Sequence, residues 1–484
     1  MATKKTTKQA ASKQSGSDSK PKTKNQKLQE KMFMKKKSSW HSFSNEKRKE
    51  IMTFTDGYKK FLDHSKTERA CTANVLSELQ QSGFKDIAAV KSVKPGDKVF
   101  KAFKNKSVMA VVIGKDMSEF RLVGSHMDSP RLDLKPWPLF EDAGLAQMKS
   151  HYYGGLKKYQ WVNTPLSMHG LITTKEGKEI NIVIGEKEDD PKFLISDLLP
   201  HLAKDQMGKT GSKVVEGEEM TITLGSIPVN DEDIKEQVKF TVLKELFDNY
   251  GIIEEDFAFA ELQFVPSAKT MDIGLDRGLV AGYGQDDKVC VYTSLQALID
   301  MKAPQHTALG MFVDKEEIGS MGNTGAASMI LHNFAYDYKR VTGISIEVST
   351  LLENSQAISA DVTAAVNPNF KGVHDETNAS LLGYGVSVEK YGGGGGKYST
   401  NDAHGEYMAR LRRLLDGNSI AWQTGEMGKL DLGGGGTIAM FLSRYGMDCV
   451  DAGPSVLAMH SPMELTSKAD IYSSYEFYKA FFDS

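Results

Sequence analysis

From Asn45 the apolar residues recur at helical spacing, with Ile51, Phe54, Tyr58, Phe61 and Leu62 on one face. A second helix is predicted after Thr67, carrying Val75, Leu76 and Leu79 inward. The pattern then changes to short apolar runs, among them Val108 to Ile113 and Phe120 to Val123, the latter ending at Gly-Ser-His. The Pro-rich stretch SPRLDLKPWPLF (129–140) reads as the exit from this first unit. Between about 138 and 255 the texture is that of alternating short strands, as in LSMHGLITT, INIVIGE and EMTITLGSIPV. From about Leu262 to the end, apolar runs are followed by turns and helices. The last helix places Ile471, Tyr475, Tyr478 and Phe482 at core spacing.

Such alternation predicts an α/β layer structure with a mixed, largely parallel sheet flanked by helices. The expected division is a Lys-rich tail over 1–38, a first catalytic part over 39–137, a β-rich insertion over 138–255 and a second catalytic part over 256–484. In a sheet of this kind functional residues collect beyond the carboxyl ends of strands. The runs Phe120–Val123 and Leu309–Val313 place His126 and Glu316 there. No internal repeat is visible.

Composition narrows the picture. At 484 residues the chain exceeds one ordinary core, and 40% hydrophobic with 25% charged residues is a soluble globular balance. The tail holds twelve lysines, no arginine and almost no large apolar residue before Met32, so it is expected to be disordered. A net charge of −3 argues against a dedicated nucleic-acid binder. The three cysteines fit neither a disulfide framework nor a zinc ribbon. No apolar run approaches the ~20 residues that span a bilayer, and the N-terminus has no hydrophobic signal core. A cytoplasmic protein without membrane or nucleic-acid partners is expected.

Five positions carry metal-ligand chemistry: His126 in GSHMDSP, Asp286 in GYGQDDK, Glu317 in DKEEIGS, Asp361 in ISADVTAA and His460 in LAMHSPMEL. Singly each has a plainer reading. A Glu pair is usually solvated charge, His126 alone is as well a satisfied core histidine, and Asp286 or Asp287 could be an N-cap. Jointly they form a nitrogen and oxygen donor set suited to zinc, cobalt or manganese. Five side chains exceed one catalytic zinc but suit two metals that share a bridging carboxylate. Adjacent residues cannot both point at one atom, so Glu316 is free to handle a proton. Asp128, two residues after His126, could fix that imidazole's orientation.

The order His-x-Asp, Asp-Asp, Glu-Glu, Asp, His, in these flanking sequences, resembles the dinuclear-zinc aminopeptidases of the aspartyl aminopeptidase and vacuolar aminopeptidase I family. The match runs from about Trp40 to the C-terminus through GSHMDSP, GYGQDDK, DKEEIGS, SADVTAAVNPNF, KYSTND and LAMHSPMEL, and is closest in character to bacterial members. The resemblance implies a zinc-exopeptidase fold whose insertion is a dimerisation domain, and a homo-oligomer that reaches a dodecamer. It implies that Asp286 bridges two metal ions, that His126 and Asp361 complete one site, and that Glu317 and His460 complete the other. Glu316 becomes the catalytic base and Asp128 steadies His126. His201, in LPHL, is implied to reach a neighbouring subunit's site and stabilise the oxyanion. Tyr398 and Lys397 in GGGGGKYSTND, with Asp431 and Gly434, fall where the family binds substrate. The segment around Asp431 departs from that of acid-preferring members, so acidic and neutral preferences both stay open.

The function expected is therefore removal of the first residue from peptide substrates by metal-activated water. Two alternatives differ in class or substrate: a carboxypeptidase or N-deacylase on the same metal scaffold, and a catalytically silent assembly protein.

Overall fold

The computed structural model describes residues 22–484. Within the predicted tail, residues 1–21 lie outside the described residues. The expectation of disorder is corrected over Lys24–Met32, which form an exposed helix. Thr23 caps it, accepting from the backbone N–H of Gln26 while the Gln26 side chain accepts from the backbone N–H of Thr23, which satisfies two orphan donors locally. Its hydrogen bonds need no core.

Residues 38–484 form one compact unit. Among the described residues its main sheet has nine strands in the order Lys85–Asp86, Lys98–Phe103, Ser107–Val112, His306–Val313, Asp116–His126, Gln356–Ser359, Asp448–Gly453, Val386–Glu389 and Trp422–Thr424. The strands around Asp116–His126 run parallel, and antiparallel pairs occur towards the edges. Strand periodicity separates two cores. Val108, Ala110 and Val112 face one apolar layer, while Met109 and Val111 face the other. The predicted helices Asn45–His64 and Glu68–Gln81 cover the first face with Lys468–Phe482, capped at their starts by Ser44, Thr67 and Ser467. Ile330–Thr342 and Val348–Asn354 cover the second.

The second sheet has six strands, all antiparallel, and spans Arg131 to Pro266, wider than the expected 138–255. Its own apolar core contains Leu132, Trp161, Met168, Ile182, Ile222 and Phe264. The Pro-rich stretch read as an exit is in fact the strand Arg131–Asp142. Pro136 and Pro138 cannot donate to the ladder, and the pairing register shifts between Leu134 and Leu139 to accommodate them. A helix, Gln237–Tyr250, also lies within this region. A third sheet of five short strands joins Leu279–Gly282 to Glu464–Ser467 and Ser455–Leu457.

Candidate active site

Three neighbouring parallel strands end at one level. Val313 pairs with His126, and Ser359 with Gly124, so the residues just beyond these strands meet at one edge of the sheet. His126 closes its strand, Glu316 and Glu317 form a turn after His306–Val313, and Asp361 follows Gln356–Ser359. The third sheet delivers the remainder. Gly282 pairs with Glu464, which brings Asp286, in the first turn of Gln285–Ile299, against His460.

Asp286 lies between the two imidazoles. Its Oδ1 is 3.2 Å from His126 Nε2 and its Oδ2 is 3.1 Å from His460 Nε2. Glu317 Oε2 stands 3.5 Å from His460 Nε2, and Asp361 Oδ1 3.9 Å from His126 Nε2. Glu316 Oε2 is 3.8 Å from His126 Nε2. The other ring nitrogens are engaged by carbonyls. His126 Nδ1 lies 3.1 Å from the Asp128 carbonyl and His460 Nδ1 lies 3.0 Å from the Gly155 carbonyl. An Nδ1–H donated to each carbonyl leaves Nε2 as the nitrogen a metal would take up, and without a metal both Nε2 atoms donate to Asp286.

Asp128 does more than orient His126. Its buried carboxylate accepts the backbone N–H of Glu316 at 3.1 Å and of Glu317 at 3.2 Å, and the Tyr153 hydroxyl at 2.8 Å. It thereby fixes the Glu-Glu turn. Glu464 plays the matching part opposite, accepting from the backbone N–H of His460 at 2.8 Å and of Asp286 at 3.1 Å.

The electrostatics call for a cation. Burial pushes the Glu316 carboxyl up to about 7, helped by the Asp128 and Asp286 charges and opposed by the two histidines. Burial likewise drives Glu317 and Asp361 well above the usual carboxylate range. Burial opposes ionisation of Asp286 too, yet hydrogen bonds from both imidazoles hold it below that range. Glu317 Oε1 is buried with no hydrogen-bond partner among the described residues. Within this cluster, groups able to hold a metal are His126 with Asp286 and Glu317, and His126 with Asp287 and Asp361. Asp287 also donates no charge readily, because burial raises its carboxyl far above the ordinary value, and its Oδ2 accepts from the His126 backbone N–H at 3.2 Å. This donor set of imidazole nitrogens and carboxylate oxygens fits borderline divalent ions.

Beside the cluster is a cavity of about 640 Å³, lined by Asp286, Glu316, Glu317, Asp361 and His460 and, further in, by Glu389, Asp451 and Gly434. Gly434 has φ +113, and a Cβ there would meet the Gly393 carbonyl oxygen at 1.8 Å. The two glycine runs thus cross backbone to backbone, with Gly393 N–H donating to Gly435 O at 2.6 Å. The other substrate-side candidates stand apart from the cavity wall. Lys397 pairs with Asp402 at 2.9 Å and stacks on Tyr391, while Tyr398 and Asp431 are exposed. His201 lies in an exposed surface turn and does not line the cavity. Sequence reading missed Tyr153, Glu464, Glu389 and Asp451. The last two carried one signal, a buried-looking acid beside apolar residues in a short strand (VSVE and DCVDAG).

The family of aminopeptidase I zinc metalloproteases (M18) matches residues 61–482. A probable M18 family aminopeptidase 1 of Clostridium acetobutylicum is 44% identical over 456 residues, covering 93% of this chain and 98% of that protein. The crystal structure of an M18 family aminopeptidase from Thermotoga maritima superposes with a TM-score of 0.89 at 43% identity, covering 93% of this chain and all of that one (100%). The mApe1 dodecamer of S. cerevisiae shares the fold with a TM-score of 0.70 at 20% identity, over 89% of this chain and 96% of that one.

Proposed function

The chain belongs to the M18 aminopeptidase I family, zinc metalloproteases that remove N-terminal residues from peptides, and from that premise we propose how its own residues divide the work. Asp286 would bridge two divalent ions, His126 and Asp361 completing one site and Glu317 and His460 the other. Zinc is the family's metal. Cobalt or manganese would be held by the same donors. Such a pair, when bound, supplies Lewis acidity toward the scissile carbonyl and lowers the pKa of a water. The observation that carries this reading is Asp286, whose two oxygens each face one imidazole at 3.2 and 3.1 Å.

Glu316 acts as general base and then general acid. Its carboxylate takes the proton of the attacking water and returns it to the leaving amine nitrogen. Asp128 holds Glu316 and Glu317 in place through their backbone N–H groups. His201 is assigned to a neighbouring protomer's site, where it would donate to the developing oxyanion. The six-stranded sheet is read as a dimerisation domain. Trp137, Val183, Leu199, Leu202 and Met207 expose large apolar surface on it and its loops, as an association face does. The dodecamer of the yeast relative supports assembly of such dimers into a dodecamer. Among the described residues no helix is long and apolar enough to cross a membrane. Three buried, unpaired cysteines fit a reducing cytoplasm.

Glu316→Gln tests the assignment. The expected result is a kcat loss of roughly 10²–10⁴-fold with metal content unchanged by elemental analysis. An unchanged kcat, or loss of metal from the variant, would remove Glu316 from the role of base.

A further inference from the structure

Strand pairing sets two acids of the cavity side by side. Glu389, at the end of Val386–Glu389, is the antiparallel partner of Asp451 in Asp448–Gly453. Like charges directly opposed across a sheet are destabilising, so a pair placed this way calls for an explanation. Glu389 is 8% exposed and Asp451 5%. Neither forms an ion pair among the described residues. Glu389 accepts from the Thr363 hydroxyl, and Asp451 accepts from the Thr437 hydroxyl at 2.6 Å. Room for the Glu389 carboxylate depends on Gly425, where a Cβ would sit 2.7 Å from Glu389 Oε1 and 2.1 Å from Ser387 Oγ.

Charge balance separates this pair from the metal cluster. Two divalent ions would be matched by Asp286, Glu316, Glu317 and Asp361, which leaves Glu389 and Asp451 uncompensated in the same cavity. Arg444 is the one lysine or arginine in the cavity wall among the described residues, and it is exposed and stacked over Phe441. Position separates the pair from the reacting atoms as well. Thr363, which touches Glu389, lies two residues beyond Asp361, a backbone reach of up to roughly 7 Å. That offset matches the long methylene stem of a first-residue side chain better than the α-amine, which is bonded next to the scissile carbonyl.

We propose that Glu389 and Asp451 form a cation-binding subsite for the substrate's first side chain, so that the enzyme prefers peptides beginning with lysine or arginine. This rests on the aminopeptidase site described above and would set which side chains it takes. An acidic first residue brings a third carboxylate against the pair and is disfavoured. A neutral one leaves both buried acids without a counter-charge.

The test uses metal-loaded full-length protein and peptides that differ only at the first residue: lysine, norleucine, arginine, citrulline and glutamate. The expected kcat/KM ratios, lysine over norleucine and arginine over citrulline, are about tenfold or more, with glutamate slowest. Glu389→Gln is expected to shrink the lysine to norleucine ratio severalfold, whatever its absolute rate. A wild-type ratio near one, or glutamate faster than norleucine, overturns the proposal. So does a variant that slows lysine and norleucine alike, which would assign the pair to the α-ammonium instead. Should the variant not fold, the wild-type ratio still decides through its pH dependence. Burial holds the Glu389 carboxyl at about 7, with the Asp451 and Glu426 charges adding to it, and burial holds Asp451 at about 6. The ratio should therefore rise between roughly pH 6 and pH 8 as the pair ionises, and effects on Glu316 cancel in it. A flat ratio overturns the subsite. No turnover of any peptide, norleucine included, would instead sink the aminopeptidase site and the subsite with it.

Discussion

Tyr153→Phe removes one oxygen and leaves everything else about that side chain in place. The hydroxyl donates to Asp128 Oδ2 at 2.8 Å, and the ring carries the Arg131 guanidinium 3.7 Å above its centroid, a contact that phenylalanine keeps. Asp128 is fully buried, so the lost donor is not replaced by bulk water. A hydrogen bond to a buried charge contributes about 1.5–3 kcal/mol. The backbone N–H groups of Glu316 and Glu317 remain on the carboxylate at 3.1 and 3.2 Å, with His126 Nδ1 at 3.4 Å. The loss therefore falls on the turn that sets the base and a proposed ligand. Partners that orient metal ligands in this way typically affect metal affinity or activity by about 10–100-fold. The assay is a metal titration against a chromogenic chelator, paired with steady-state kinetics on one peptide. The expected outcome is a tenfold or greater loss in affinity or kcat/KM with only a small drop in Tm. Affinity and kcat/KM both within about twofold of wild type would refute the idea that Tyr153 positions the site.

Stripping the metal should lower Tm, because the Glu317, Asp361 and Asp286 carboxyl groups crowd together largely out of water and lose the cation that would hold them; a Tm unmoved under conditions that demonstrably remove metal contradicts the proposed site. Glu68→Gln should cost about 1.5–3 kcal/mol by denaturant unfolding, since it removes a fully buried carboxylate 3.2 Å from Lys106 Nζ and 3.4 Å from Arg131 Nη1 and leaves those cations to Glu261 and Asp133 alone. Burial alone would raise the Glu68 carboxyl, but Arg131 and Lys106 hold it well below its ordinary value of 4.5. A depressed folded-state pKa contributes stability that is present above the unfolded value and lost as pH falls, so the gap between wild type and Glu68→Gln should narrow below about pH 4.5. A gap constant with pH would show that the charge is not what matters. Gly434→Ala should cut kcat/KM by about tenfold or more, because neither φ +113 nor the 1.8 Å approach to the Gly393 carbonyl admits a methyl group; unchanged kinetics would mean the glycine crossing does not shape the cavity.

What could be read from the sequence was what local periodicity dictates. The capped helices after Ser44 and Thr67 and the apolar runs before His126 and Glu316 are each set by a dozen neighbouring residues, and each stands where the pattern put it. Of the six residues proposed for metal and proton chemistry, His126, Glu316, Glu317 and Asp361 converge because three parallel strands stop together, which strand ends foreshadow, while Asp286 and His460 are brought in by the third sheet. The strand Arg131–Asp142 was hidden because its prolines mimic a turn, and only the bulge at Leu134 to Leu139 reconciles them with pairing. The helix Lys24–Met32 was hidden because nothing apolar drives it.

Charge placement was illegible for a different reason: it depends on register between distant strands. Glu389 faces Asp451, 62 positions further along the sequence, and neither strand alone says so. The same holds for Arg131, whose guanidinium reaches Asp133 at 2.8 Å, approaches Glu68 at 3.4 Å and lies over Tyr153. Through Tyr153 and Asp128 that arginine connects the helix Glu68–Gln81 and the strand Arg131–Asp142 to the Glu-Glu turn. Each member is a common residue in an ordinary local setting. Their meaning lies in a chain of buried contacts between the two sheets, so a substitution at Glu68, remote in sequence from every proposed ligand, should disturb the turn that carries Glu316 as well as the stability of the fold.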